Sequence, residues 1–345
     1  MARTNALRIG IMGAGAVGCY VGGSLAAGGA DVVFVGRERL KKELEASGLV
    51  LADLDGSSGR VLSKEKVVFA TELSALADRD VVLCCVKSAQ TAEAGRELAA
   101  VLSPRTIVVS LQNGVRNADV LRSPLGDQIV LGGIVGFNVV SKGKGTFRRA
   151  TSGPLVIESS PDPRVAELAS KLSAAGFEVE LVAEIRPLQW SKLIMNLNNA
   201  VGALSDQPTK ELLFSKGYRR VLGAIMAEAL TVLRAAKEPT AKLGLLPIGL
   251  FPMILRLPSP LLRVVANAQV KIDPEARSSM WEDLSRNRPT EVDHLNGEIV
   301  RLAATCGASA PLNARMVEIV HAAEKKAAGS PKLSADALWS ALTRA

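Results

Sequence analysis

Short apolar runs rich in β-branched residues recur through the first half of the chain. Residues 7–12, 32–35, 81–86 and 106–111 read as strands, with a small-residue helix over 16–27 and a helical segment over 89–102. Continuous apolar strands alternating with helices predict a parallel sheet covered on both faces. Beyond Gly132, glycines at 143, 145 and 153 punctuate strand-like segments with no helix between them, which predicts antiparallel pairing there. A helix over 162–175 and a strand over 178–182 follow.

From Arg186 onward the strand signal disappears. Pro187 suits a helix start. Trp190, Leu193, Ile194, Leu197 and Val201 then keep helical spacing, so one helix is expected over 188–204. Segments 219–237, 276–286, 291–305 and 314–327 also read as helices. The change of texture predicts an α/β domain over residues 1–185 and an all-α domain over 186–345. One stretch, 243–262, is strongly apolar but carries Pro247, Pro252, Pro258 and Pro260. Its uninterrupted apolar part is too short to cross a bilayer. It is expected to cover a substrate cleft or to form a subunit contact, with no membrane insertion.

The first strand runs into Gly13-Ala14-Gly15-Ala16-Val17-Gly18 and then into the first helix. A GxGxxG loop in that context is the fingerprint of a Rossmann-type dinucleotide-binding domain. Gly13 permits the tight turn, Gly15 lets the pyrophosphate approach the backbone, and Gly18 allows close helix–strand packing. The phosphates are expected on the free N–H groups at the helix start. At the end of the second strand, where an acidic side chain would bind the ribose 2′-hydroxyl of NAD, the sequence has Val35-Gly36-Arg37, and Asp31 lies at the wrong end. A guanidinium there suits a 2′-phosphate, so the expected cofactor is NADPH/NADP+.

The chain has 345 residues, 48% hydrophobic and 22% charged, enough for two domains with real cores. Its net charge of +8 is spread along the chain without a basic run flanked by stacking aromatics, which argues against nucleic-acid binding and fits an anionic cofactor or substrate. The four cysteines form no CxxC pair, and Cys84-Cys85 lie within an apolar run. They read as reduced thiols of a cytoplasmic protein, with no disulfide framework and no metal site. The first ten residues carry no signal-peptide pattern.

Several further segments share one family pattern. VVLCCVK at 81–87, LQNGV at 111–115, QWSKLIMN around Lys192 and SSMWEDLSRNRPTEVDHLNGE at 278–298 resemble ketopantoate reductase (2-dehydropantoate 2-reductase). The resemblance spans nearly the whole chain. It implies a Rossmann domain followed by a helical domain with the active site in the cleft between them, and NADPH-dependent reduction of 2-dehydropantoate to (R)-pantoate for coenzyme A synthesis. By the same resemblance, Lys192 and Glu291 are catalytic and Lys192, Asn196, Ser279 and Asn113 meet the substrate. Lys87, Asn113 and Glu291 join the glycine loop and Arg37 at the cofactor. A homodimer is compatible with this pattern.

The chemistry suits those residue types. Reducing a ketone needs a positioned acid to supply the proton. The only histidines are His294 and His321. A lysine set among Trp190, Leu193 and Ile194 would be partly desolvated, which lowers its pKa towards neutrality. Each residue also has a plainer reading. Alone, Lys192 reads as a solvated or snorkelling helix lysine. Glu291 reads as a first-turn acid behind a Thr290 N-cap, Ser279 as a helix-start residue, Lys87 as a loop lysine, and Asn113-Gly114 as a turn. One departure stands out. Where the family often has another asparagine, this chain has Ala200, with Asn198 and Asn199 one or two residues out of register. That keeps open a different 2-keto acid as substrate, or a non-catalytic NADP(H) sensor.

Overall fold

The computed structural model describes residues 7–54, 59–243, 246–262 and 276–344. The chain divides into two compact units, residues 1–185 and 186–345.

The first unit contains strands β1 (Arg8–Met12), β2 (Asp31–Val35), β3 (Leu49–Ala52), β4 (Arg60–Leu62), β5 (Val68–Ala70), β6 (Val81–Cys84), β7 (Ile107–Ser110), β8 (Val130–Val135), β9 (Val139–Gly143), β10 (Thr146–Arg149), β11 (Leu155–Glu158) and β12 (Val179–Val182). Eight form one sheet in the order β12-β11-β8-β7-β6-β1-β2-β5. The six strands from β8 to β5 are mutually parallel. The order reverses at β1, so the crevice between the ends of β1 and β6 is the topological switch point where such sheets bind ligands. Alternation along the strands feeds two cores. Ile9, Ile11, Phe34 and Leu83 face one side, while Met12, Val33, Val82 and Cys84 face the other.

Helix α1 (Ala16–Ala27) is buried from Gly18 through Leu25 and has no polar face. It lies between the main sheet and a second sheet of order β4-β3-β10-β9. A Cβ at Gly22 would meet Ile11 and Phe34 at 2.6 Å, and one at Gly23 would meet Leu49 at 2.5 Å. The small residues of this helix are therefore contact surfaces on both sides.

The antiparallel pairing expected beyond Gly132 holds only in part. β11 is antiparallel to β8 and β9 to β10, but β12 runs parallel to β11 and β10 parallel to β3. The helix Pro163–Ala174 between β11 and β12 supplies the crossover that parallel pairing requires. Asp162 caps it by accepting from the Arg164 N–H at 3.0 Å.

The second unit is helical around its longest helix, Lys216–Ala235. The helix expected over 188–204 is two, Arg186–Asn196 and Asn198–Ser205, separated by Leu197. The helix expected over 291–305 starts only at Asn296. A short 3₁₀ turn, Val292–His294, precedes it, and Leu295 (φ −114°, ψ −84°) breaks the regular backbone. Two-residue strands, Lys242–Leu243 and Leu246–Pro247, pair where no strand was expected. Of the apolar stretch 243–262, residues 244 and 245 lie outside the described residues. In the remainder Ile248, Leu255 and Leu262 are buried, while Leu250, Met253 and Leu261 face outward. Arg219 of the long helix fastens this stretch by donating to the Leu257 carbonyl (2.8 Å) and Ser259 Oγ (3.0 Å). Among the described residues no helix is long and apolar enough to cross a membrane.

Glu228 shows how the helices are joined. Its carboxylate accepts from the backbone N–H groups of Leu312 and Asn313 and from Asn313 Nδ2, each at 2.9 Å, at the start of the helix Pro311–Lys326. Asn313 in turn accepts from Asn296 Nδ2 at 3.0 Å. A carboxylate on a helix N-terminus meets both orphan donors and the helix dipole. Glu228→Ala should therefore lower the unfolding free energy of the helical unit by about 1.5–3 kcal/mol, and Glu228→Gln by less, as measured by urea denaturation.

Candidate active site

The glycine loop follows directly from the sheet. Gly13 has φ +90°, a region that favours glycine, and the N–H groups of Gly13 and Ala14 both donate to the Val35 carbonyl at 3.1 Å. This ties the loop to the end of β2, two residues before Arg37. A Cβ on Gly13 would come within 2.7 Å of the Val86 nitrogen, and one on Gly18 within 2.5 Å of the Gly13 carbonyl oxygen. Gly15 differs: a Cβ there would meet nothing within 4 Å. Two glycines are demanded by packing and the middle one guards open space. Gly15 caps α1 without a side-chain hydrogen bond, and the first turn holds no acidic residue, so the positive helix end is uncompensated by charge.

Arg37 is exposed, and its guanidinium makes no hydrogen bond or ion pair among the described residues. Asp31, at the far end of β2, is paired with Arg79 at 2.9 Å. An open cradle, an uncompensated helix end and an available guanidinium fit the pyrophosphate and adenosine side of a dinucleotide. Lys87 and Asn113 follow β6 and β7, which are neighbours in the sheet. A buried polar network joins their two turns. Ser88 Oγ and Asn117 Nδ2 donate to the Asn113 carbonyl (3.0 and 2.5 Å), Thr91 Oγ1 donates to Asn117 Oδ1 (2.8 Å), and Gln112 Nε2 donates to Thr91 Oγ1 (2.7 Å).

In the second unit, Lys192 sits on the helix Arg186–Asn196 beside the buried Trp190, Leu193 and Ile194. Trp190 is fixed in turn by donating Nε1–H to Glu238 at 2.8 Å. Burial lowers the Lys192 ammonium to about pKa 8, against the opposing pull of the nearby Glu291 carboxylate. Asn196 lies one turn further and is half-buried. Glu291 is 7% exposed and stands immediately before the 3₁₀ turn, outside any α-helical first turn. The preceding residue, Thr290, donates its N–H to Glu324 at 2.7 Å, which holds the Glu291 turn against the helix Pro311–Lys326.

Ser278, not Ser279, caps the helix Ser279–Ser285, with its Oγ accepting from the Trp281 N–H at 3.1 Å. Ser279 is the exposed first residue of that helix. Asp206 ends the helix Asn198–Ser205 in a left-handed conformation and accepts from Trp281 Nε1 (2.7 Å) and Arg277 Nη1 (2.6 Å). The segment bearing Ser279 is thereby tied to the continuation of the lysine helix. Sequence reasoning missed these supports: Asp206, Ser278, Glu324 and Asn117. Each is a lone polar residue whose partner is distant in the chain, so no local pattern marks it. His294, half-buried in the 3₁₀ turn, is three residues from Glu291.

Burial pushes the Cys84 thiol up to about 12 and also raises Cys19 and Cys85, which leaves them as weakly reactive core side chains. No metal-binding cluster occurs among the described residues.

A dinucleotide-type parallel sheet followed by a mainly helical unit with a desolvated lysine points to a class, the two-domain nicotinamide-dependent oxidoreductases. Comparison with known proteins narrows it. The family model "Ketopantoate reductase PanE/ApbA" matches residues 9–162, and its C-terminal counterpart matches residues 184–324. The chain belongs to the ketopantoate reductase family. It is 30% identical to the 2-dehydropantoate 2-reductase of Archaeoglobus fulgidus, over 92% of this chain and 98% of the relative. It is 29% identical to that of Halobacterium salinarum, over 92% and 99%. The crystal structure of a PanE/ApbA family ketopantoate reductase from Ralstonia eutropha superimposes with a TM-score of 0.78 at 34% identity, covering 93% of this chain and 99% of that one. A D-mandelate dehydrogenase solved with NADH shares the fold, with a TM-score of 0.74 at 21% identity, covering 93% and 99%. The protein is an oxidoreductase of this family, and its cofactor is a nicotinamide dinucleotide.

The open space at Gly15 gives a direct test of the loop. Gly15→Ala should leave the melting temperature of the free protein within about 1–2 °C of wild type, since the surface change meets no neighbour, yet weaken dinucleotide binding at least about tenfold. Gly18→Ala should instead destabilise the fold itself, by about 1–3 kcal/mol as an overpacked site. Thermal melts paired with calorimetric titration separate the two.

Proposed function

We propose that this protein reduces 2-dehydropantoate to (R)-pantoate with NADPH, and that Lys192 supplies the proton to the ketone oxygen. The observation that carries this reading is the desolvated Lys192 ammonium, lowered to about 8 and coupled to Glu291, in the helical unit of a ketopantoate reductase family member. An acid with a pKa near the working pH is protonated enough to be present and weak enough in its hold to donate.

Bound, the reduced nicotinamide supplies the hydride to the carbonyl carbon. The chain's own residues do the rest. Gly13 to Gly18 present backbone N–H groups to the pyrophosphate, and Arg37 takes the 2′-phosphate that distinguishes NADPH from NADH. Lys87 and Asn113, held in place by the Ser88–Thr91–Asn117 network, border the cofactor and, in the case of Asn113, the substrate. Lys192 holds its proton at Nζ for the ketone oxygen. Asn196 and Ser279 orient the substrate by hydrogen bonds, Ser279 at its carboxylate. Glu291 keeps the lysine charged and positioned.

The residue set supports catalysis over a sensing role, because binding a dinucleotide needs no desolvated acid. Ala200, fully buried where relatives of this family often place an asparagine, favours one second reading: a neighbouring 2-keto acid as the physiological substrate. A panel of 2-keto acids followed by loss of NADPH absorbance decides between them. The buried thiols suit a reducing cytoplasm. The outward-facing Leu250, Met253 and Leu261 suit either role read from the sequence for their segment, cleft cover or homodimer contact.

Two outcomes test the assignment. Arg37→Ala should weaken NADPH by about 1.5–3 kcal/mol, the range for one charge-assisted contact, and leave NADH nearly unchanged. Equal calorimetric affinity of the wild type for both cofactors would refute the 2′-phosphate role. Lys192→Ala should lower turnover by about 10²–10⁴ with cofactor affinity retained. Because only the protonated lysine donates, wild-type kcat/KM should fall as pH rises through about 8, and that descending limb should vanish in Lys192→Ala.

A further inference from the structure

The helix that carries Lys192 does not lose its phase at Asn196. Leu197, between the two helices, keeps right-handed helical angles (φ −59°, ψ −20°), and its N–H still donates to the Leu193 carbonyl at 3.1 Å. At about 100° per residue, Asn199 comes round to within about 20° of Lys192, Asn196 lies about 40° away, and Ala200 about 80° away. Burial follows the same division. Lys192, Met195, Asn196 and Asn199 form a half-buried stripe. Leu193, Ile194, Leu197, Ala200 and Val201 are at most 1% exposed.

Asn199 is fixed by its backbone and open at its side chain. Its carbonyl accepts from Ser278 Oγ at 3.0 Å, and Ser278 caps the helix whose first residue is Ser279. Its carboxamide makes no hydrogen bond among the described residues. It thus joins the two segments that hold the other substrate candidates, and it presents a donor and an acceptor that nothing nearby uses. Ala200 is turned into the core and offers neither.

We propose that Asn199 is a specificity-determining residue whose carboxamide binds a hydroxyl about three bonds beyond the ketone carbon of the 2-keto acid; this rests on the reductase reading above. Asn199 is seven positions after Lys192, which places their Cα atoms about 10 Å apart along the axis. A chain of about five atoms from ketone oxygen to hydroxyl oxygen, with a hydrogen bond at each end, covers about that span. A site built to hydrogen-bond a substrate hydroxyl discriminates against the analogue that lacks it, because its own polar group is then left unpaired.

The test compares 2-dehydropantoate with its deoxy analogue, 3,3-dimethyl-2-oxobutanoate, in the wild type and in Asn199→Ala and Asn199→Leu, with thermal melts on each protein. The ratio of kcat/KM for the hydroxylated over the deoxy substrate should drop about tenfold in either folded variant, mainly through KM, as one lost hydrogen bond predicts. Asn199→Leu keeps the side-chain volume, so it reads the same ratio should the alanine variant unfold. A wild type that reduces both substrates, with a ratio unchanged in the variants, overturns the role of Asn199 and leaves the reductase reading standing. A wild type that reduces neither overturns that reading and this proposal with it.

Discussion

The close approach of α1 to the layers on either side of it is the constraint on which the N-terminal unit depends. Gly18 and Gly22 let the helix lie against β1 and β2, and Gly23 lets the second sheet settle on its opposite side. That spacing sets the loop in front of the helix, where Gly13 and Ala14 both bond to the end of β2. A bulkier helix would stand off the sheet and carry the loop with it. The same glycines that make room for packing therefore aim the helix N-terminus at the place where phosphate would lie. Packing demands Gly13 and Gly18, whereas Gly15 alone of the three faces open space.

The helical unit shows the opposite relation between stability and function. Its joints are well satisfied: Glu228 caps a helix, Asp206 holds Trp281 and Arg277, and Glu324 holds the Thr290 N–H. Lys192 is set against that background with its ammonium desolvated and its pKa lowered. A cation kept in a place that disfavours it is a local conflict, and proteins retain such conflicts chiefly where chemistry uses them. Glu291 offsets part of the desolvation, and it is held by a turn rather than by a helix. The neighbouring Thr290 N–H is held by Glu324 at 2.7 Å.

Much of this was legible along the chain. The apolar runs at β1, β2, β6 and β7 sit in the sheet because their residues face cores on both sides, and that condition writes itself into sequence as an unbroken apolar stretch. The GxGxxG loop was readable because its requirements are local: a positive φ, a close approach and a free helix end all lie within six residues. The position of Arg37, exposed just beyond β2, was readable for the same reason, from its place at the end of a recognisable strand. The candidate residues of the helical unit were readable only through their family pattern, since a lysine, a serine and a glutamate on separate elements carry no local signature.

What the tertiary structure alone decided is where distant segments meet. Sequence determined that the chain has a parallel α/β part and a helical part, because side-chain periodicity is set by the local backbone. It did not determine that β12 returns parallel to β11, that a second sheet covers α1, or that Ser278 rather than Ser279 caps a helix. The continuous helix expected over 188–204 would already put Asn199, seven residues on, near the lysine face; that the phase survives the break at Leu197 is a finding of the structure. Pairing direction, cap choice and phase across a break are settled by partners far away in the chain, and only the folded molecule brings those partners within hydrogen-bonding distance.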